Sequence, residues 1–422
     1  MRRSFLVVAL TLAIAATAFS APASATPGEL DHFFNNTGKN STFVAGGTGY
    51  AVAIDHHGRT LVAGYTQGAH TDIAIARFLP DGKLDNTFNG DGRVTTSLGG
   101  LSYAFDVAVQ SDGKIVVAGE RDLANSSSFA IVRYTMHGAL DTTFGSGGRV
   151  LVGFGRRYQG ANAIGIGIAG NIVVGGFASD GTASQWAMVR LLPNGAKDTT
   201  FGSGGKVLSD FSATNEQMES LIVGAGGTIT AGGFAEVDLA PRFTIAQYNV
   251  RGRLITTFAH HGRNLIDVSK GADIAYGLAR QPDGKFLLVG SADNAGQLDW
   301  GLARVGPHGL LDPGFGGDGT VVTHFTAGND YAYGTAVQPN GRIIVVGRGN
   351  GPNGADFCVV RYLVNGTLDT TFGTGGKVFT DFDHGQDTAR GVALQTNGKI
   401  VVGGEAQFGG VRRLAAARYL PS

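Results

Sequence analysis

A single phrase, Leu140-Asp141-Thr142-Thr143-Phe144-Gly145-Ser146-Gly147-Gly148, returns along this chain at a nearly constant interval. Its phenylalanines are Phe34, Phe88, Phe144, Phe201, Phe258, Phe315 and Phe372, spaced by 54, 56, 57, 57, 57 and 57 residues. A second phrase keeps the same period, as in Asp106-Val107-Ala108-Val109-Gln110-Ser111-Asp112-Gly113-Lys114-Ile115-Val116-Val117-Ala118-Gly119. Seven copies of one unit override the expectation of two or three domains that 422 residues would otherwise raise.

The second phrase reads as strand, tight turn, strand. Its turn glycines are Gly58, Gly113, Gly170, Gly227, Gly284, Gly341 and Gly398. A glycine after Asp or Asn supplies the positive φ of a hairpin turn, and the β-branched and small residues around it suit strands packed on both faces. In the second copy four strands are predicted, A at 103–110, B at 114–120, C at 128–135 and D at 148–153. Four-stranded units at this period predict an all-β fold, a seven-bladed β-propeller with four-stranded blades. No segment keeps a 3.6-residue apolar period, which excludes a helical solenoid.

The two ends of the chain complement each other. The last copy supplies A (388–395), B (399–405) and C (413–420) and then stops without strand D. The missing parts stand at the start, as Gly28-Glu29-Leu30-Asp31-His32-Phe33-Phe34 and a strand near 40–45. Residues 26–45 are therefore expected to complete the blade formed by 388–420, so that the N-terminal strand closes the last blade and removes the sheet edges. The expected organisation is a signal peptide over 1–25 and a single propeller over 26–422.

That signal peptide rests on Arg2 and Arg3, an apolar run from Phe5 to Phe19, and Ala23-Ser24-Ala25 as a small-x-small cleavage site. The run is shorter than the roughly 20 residues of a membrane span. A secreted or periplasmic protein is expected, with no membrane span after cleavage. The chain holds 33 basic and 33 acidic residues, and losing Arg2 and Arg3 leaves it near −2. With no basic tract, nucleic acid is not an expected partner. Cys358 is the one cysteine and reads as a small buried hydrophobe.

Strand C ends in arginine at Arg77, Arg133, Arg190, Arg304, Arg361 and Arg418. The phrase after it carries Asp85, Asp141, Asp198, Asp312 and Asp369, each eight residues on, and Asp31 opens the chain. One copy has Gln247 and Ile255 at these two positions. Because both partners vanish together, an Arg–Asp pair in each blade is predicted, with Arg418 reaching Asp31 across the closure.

The phrases Leu368-Asp369-Thr370-Thr371-Phe372-Gly373-Thr374-Gly375-Gly376-Lys377-Val378 and Val337-Gln338-Pro339-Asn340-Gly341-Arg342-Ile343-Ile344-Val345-Val346-Gly347 resemble the delta-60 repeat of bacterial exported propeller proteins. The resemblance covers 28–422 and implies a β-propeller and export. It implies no common activity, so no catalytic residue is carried over. The fourth copy departs most, with Gln247, Ile255 and the turn Gly224-Ala225-Gly226-Gly227.

Catalytic and metal motifs are not found: there is no His-Glu-x-x-His, no phosphate loop and no nucleophile elbow. His56-His57 and His260-His261 fall in connecting turns. The A–B and C–D turns are nearly uniform between copies, whereas the D–A and B–C connections vary, as in 120–128, 177–185, 234–242, 291–299 and 348–356. Function is expected on the variable face. Just before strand A, four copies carry Glu216, Asp273, Asp330 and Asp387, and three residues later Glu219, Tyr276, Tyr333 and Arg390, with Tyr50 and Phe105 in register. Ringing the channel mouth, such groups suit a carbohydrate or a cation such as calcium. Equally, each acid could cap the turn of its own blade.

Three functions are compatible with these features. The first is an exported, non-catalytic binding or interaction propeller, whose partner is a glycan, an envelope component or a protein. The second is a carbohydrate lyase or hydrolase using Glu216, Glu219, Asp273, Tyr276 and Arg390. The third is a structural extracellular module. No cofactor or metal ligand set is predicted, and a monomer is expected.

Overall fold

The computed structural model describes residues 26–421, apart from 69, 168, 213, 326, 327, 352 and 353. The expected signal peptide lies outside the described residues. Among these, the strands form seven four-stranded antiparallel sheets, the blades of a β-propeller. The hairpin glycines take the left-handed backbone expected of them, as at Gly113 (φ 81°). In the fourth copy the degenerate turn becomes a short 3-10 segment, Ala225–Gly227, with Gly226 and Gly227 both at positive φ.

The innermost strands are Thr48–Ile54, Leu101–Val109, Tyr158–Ile166, Glu216–Val223, Asp273–Arg280, Tyr331–Val337 and Thr388–Leu394. In six blades the remaining strands follow in sequence order toward the rim. The seventh is closed by Lys39–Thr42, which pairs antiparallel with Val411–Tyr419 in the register Lys39 to Ala417 and Thr42 to Leu414. N-terminal residues thus supply the outermost strand of the blade that C-terminal residues begin.

The core lies between blades. Apolar clusters combine neighbouring sheets, as where Val116, Ile131, Phe144, Ile164, Ile172 and Val189 pack together. The repeated phenylalanine is fully buried at Phe34, Phe88, Phe144, Phe201, Phe315 and Phe372. Each packs under a turn glycine of the next blade: a Cβ on Gly138 would stand 2.9 Å from the Phe88 ring. Cys358 is fully buried in the same kind of interface.

The arginines that end the third strands link these layers. Arg Nε lies 2.7 Å from the aspartate in Arg77–Asp85, 2.8 Å in Arg133–Asp141 and Arg190–Asp198, and 2.9 Å in Arg304–Asp312. The values are 2.8 Å in Arg361–Asp369 and 2.7 Å in Arg418–Asp31. Each guanidinium also lies on its blade's repeated phenylalanine, 4.4 Å from the ring centre for Arg133 over Phe144. Its Nη1 donates to a carbonyl of the following blade: Arg77 to Met136, Arg133 to Pro193, Arg190 to Val250, Arg304 to Val364, Arg361 to Pro421 and Arg418 to Pro80. In the fourth blade Gln247 instead donates to Thr230 within its own sheet.

Candidate functional site

Every innermost strand carries a β-bulge at the same repeat position. The ladder register skips one residue between Gly49 and Ala51, Ala104 and Asp106, Ala161 and Ala163, and Met218 and Ser220. It skips again between Ala275 and Gly277, Ala332 and Gly334, and Ala389 and Gly391. The skipped residues are Tyr50, Phe105, Asn162, Glu219, Tyr276, Tyr333 and Arg390. A bulge leaves its extra residue outside the ladder and re-aims its side chain. Here all seven line one central cavity of about 420 Å³, and all are half-buried.

The ring is chemically asymmetric. Tyr50 meets Phe105 edge-on at 5.3 Å and Tyr65 at 5.5 Å, and Tyr65 in turn meets Tyr103 at 4.8 Å. On another arc Tyr276 lies 5.3 Å from Tyr333, which stacks on Tyr331 at 5.8 Å. Arg390 bridges the arcs, 4.3 Å from the Tyr333 ring centre and 4.6 Å from that of Tyr50. Its Nη2 lies 3.6 Å from Glu405, and its buried Nε has no hydrogen-bond partner.

Glu219 stands three blades from Arg390 around the ring. Burial pushes its carboxyl up to about 8, with no ion pair to oppose the shift. At neutral pH it is mostly a carboxylic acid, able to donate a hydrogen bond. Burial also raises the Tyr276 phenol to about 12. Asp106, beside the bulge, is raised by burial to about 7. Its oxygens accept the Val107 amide and, across to the next blade, the Ile164 amide, each at 2.8 Å.

The acids three residues upstream are placed differently from the channel-mouth expectation. Glu216, Asp273, Asp330 and Asp387 are all fully buried and do not line the cavity. Glu216 accepts the Phe211 amide at 2.8 Å. Asp273 accepts the Val268 and Ser269 amides at 2.8 and 3.0 Å, and Asp387 accepts those of Phe382 and Gln407 at 2.8 and 2.9 Å. Burial raises the Asp330 carboxyl, opposed by the Asn350 and Phe325 amides. These four stand where the inter-blade turns enter the innermost strands, and strand alternation and the bulge turn them away from the lumen. Of the eight sequence candidates, Glu219, Tyr276, Tyr333 and Arg390 come together in the channel. Asn162 belongs with them and was legible by counting 57 residues on from Phe105; Asp106 had no repeat signal to mark it.

A closed seven-bladed β-propeller with a lined central cavity is the class of protein that this geometry defines. Six segments (58–88, 110–144, 170–201, 281–315, 338–372 and 395–422) match the model described as "Domain of unknown function (DUF5122) beta-propeller". These segments are similar to the repeats of that family, a propeller repeat family of the kind the chain resembles in sequence. The copy holding Gln247 and Ile255 falls outside the matched segments. A comparison with the curated proteins finds no match.

Among solved structures, the streptogramin B lyase structure is similar with a TM-score of 0.54 and 11% identity, over 90% of this chain and 97% of that one. Virginiamycin B lyase from Staphylococcus aureus gives 0.54 and 11%, over 90% and 98%. The polysaccharide lyase Uly1 gives 0.51 and 11%, over 88% and 90%. At this identity the likeness shows the fold alone. Among the described residues, no helix is long and apolar enough to cross a membrane.

Proposed function

We propose that the protein is an exported binding propeller that takes a glycan into the channel mouth on the face of the variable D–A and B–C connections, and prefers one bearing a carboxylate. The observation that carries this is the bulge ring. Tyr50, Phe105, Tyr276 and Tyr333 offer aromatic surface to the faces of sugar rings, Glu219 offers a hydrogen-bond donor, and Arg390 offers a fixed positive charge. A cavity of about 420 Å³ lies within the usual size of small-ligand sites, roughly 300–1,000 Å³. Thermal-shift and calorimetric titration with neutral sugars, uronic acids and peptidoglycan fragments tests the reading. Binding of acidic over neutral sugars, with the preference lost in Arg390→Gln, is expected. No response to any of these sugars would remove it.

One observation favours a second reading. Glu219 and Tyr276 share the cavity with Arg390, and the Glu219 charge acts on the Tyr276 phenol. β-Elimination from a uronate needs a base for the proton beside the carboxylate and a cation to neutralise that carboxylate. Glu219 would take that proton and Arg390 would face the carboxylate, while the Tyr276 phenol gives a proton to the glycosidic oxygen that leaves as its bond to the uronate breaks; three of the structural relatives are lyases by name. Such activity would rise with pH through about 8, followed by the ultraviolet absorbance of the unsaturated product. A panel of polyuronates that bind and are not cleaved would leave the binding reading alone.

A further inference from the structure

Three positions recur where the outer part of one blade meets the next. In blade three they hold Gln185, Asp210 and Glu216; in blade four Arg242, Asp267 and Asp273; in blade five Asp299, His324 and Asp330. The first two positions complement each other each time. Gln185 Nε2 donates to Asp210 at 3.0 Å, Arg242 lies 3.7 Å from Asp267, and His324 Nδ1 lies 2.9 Å from Asp299. In blade six the three are Asp356, Asp381 and Asp387, and carboxylate faces carboxylate. One oxygen from each lies within 4.8 Å of the others. Asp356 is 1% exposed, and its buried Oδ1 has no hydrogen-bond partner.

Two cations stand beside Asp381, and neither pairs with the buried Asp356 Oδ1. The Lys39 ammonium donates to the Asp381 carbonyl and lies 5.3 Å from the centre of the Phe382 ring. His384, highly exposed, meets Asp381 from outside at 2.8 Å. A groove of about 650 Å³, lined in part by Lys39, Asp356 and Asp381, gives access from solvent.

We infer that Asp356, Asp381 and Asp387 form a binding site for a divalent cation of the hard, oxygen-seeking kind, with Ca²⁺ the best fit. Three carboxylates and no nitrogen or sulfur donor select Ca²⁺, Mg²⁺ or Mn²⁺ over softer metals. The groove leaves room for the waters that complete a Ca²⁺ shell. The ion would join the third strand of blade six to the start of blade seven, beside the strand that closes the ring. This site is separate from the channel and does not rest on the glycan reading.

The test is calorimetric titration of the chelator-treated protein with Ca²⁺, Mg²⁺ and Mn²⁺, together with melting curves in Ca²⁺ and in EDTA. Saturable binding of one ion and a Ca²⁺-dependent rise in Tm are expected. Asp356→Asn should weaken Ca²⁺ at least tenfold while melting in EDTA no lower than the parent, since it removes like-charge repulsion. Asp299→Asn, the equivalent change in blade five, should leave Ca²⁺ binding unaltered. Should Asp356→Asn fail to fold, the less buried Asp381→Asn takes its place. Absence of binding by all three ions, or equal binding by the parent and the substituted protein, overturns the inference.

Discussion

Asp31 and Arg418, 387 positions apart in the chain, meet at 2.7 Å with side chains 1% and 5% exposed. The same guanidinium donates to the Pro80 carbonyl of blade one, and Lys399 joins Asp31 at 2.7 Å. The last blade is thus tied to both the N-terminal segment and the first blade. Deleting residues 26–45 would remove this tie and the strand Lys39–Thr42, leaving Val411–Tyr419 as a bare sheet edge. The truncated protein is expected to aggregate on light scattering, where the parent stays dispersed. A truncated protein that melts like the parent would refute the closure as a source of stability.

The Arg–Asp pairs each hold two blades, and their worth is measurable. Removing one partner of a buried pair costs about 3–5 kcal/mol. Arg133→Ala is expected to cost more than Asp141→Ala, because the arginine also holds the Pro193 carbonyl and lies on Phe144. Arg133→Lys should recover little, since an ammonium lacks the planar fork that serves both partners. Chemical denaturation of the two alanine variants and their double mutant would show coupling. Coupling near zero would mean that the pair is an incidental contact.

Acid should loosen these ties. Burial alone would raise the Asp141 carboxyl, but the Thr143 hydroxyl and amide, Arg133 and Lys114 hold it down at about 2. Asp31, Asp85, Asp198, Asp312 and Asp369 are lowered as well. A depressed carboxylate contributes stability that is present above its unfolded value of 3.8 and lost as pH falls through its folded one. Tm should therefore drop steeply between about pH 4 and pH 2. Asp141→Asn should flatten part of that slope.

Glu219 gives the opposite sign. Its carboxyl is raised from 4.5 to about 8, so the folded protein holds a proton that the unfolded chain has released. The stability this gives is complete below the unfolded value and fades as pH rises through about 8. Glu219→Gln, which keeps the shape without the charge, should raise Tm by about 2–4 °C at pH 8.5 and little at pH 5. Equal effects at both pH values would mean that the carboxyl is well solvated.

The aromatic arcs make the channel site separable from the scaffold. Tyr333→Ala opens the contacts to Tyr276, Tyr331 and Arg390 without touching the ladder, as its residue is the extra one of a bulge. Affinity for any channel ligand is expected to fall at least tenfold, read by calorimetry, with the melting transition nearly preserved. Tyr158→Ala, exposed at the start of another innermost strand, serves as the control.

Repetition made the architecture readable. The Phe34-to-Phe372 series fixed the blade count, and the Arg and Asp series fixed two positions per blade. The second role of the arginines was hidden, because a backbone carbonyl such as that of Pro193 has no residue-type signature. The acids misled for a related reason. Glu216 and Glu219 are three residues apart, which by simple alternation puts them on opposite faces, and only the bulge at Glu219 decides which one meets the lumen. A bulge in an inner strand leaves no composition mark beyond small neighbours such as Gly49, Ala51, Gly334 and Gly391. The acidic cluster of blade six was equally silent, since its members are separated by up to 31 positions and become neighbours through the strand pairing of Phe357 with Thr380 and the bond from the Asp387 amide to the Ala355 carbonyl.

Because each bulge residue is exempt from the ladder, its identity is uncoupled from strand pairing. The seven positions act as independent letters spelled around a fixed frame: here Tyr, Phe, Asn, Glu, Tyr, Tyr and Arg. Rewriting one letter changes the chemistry that the lumen presents while the blades go on pairing as before, so the same frame can be respelled one repeat at a time.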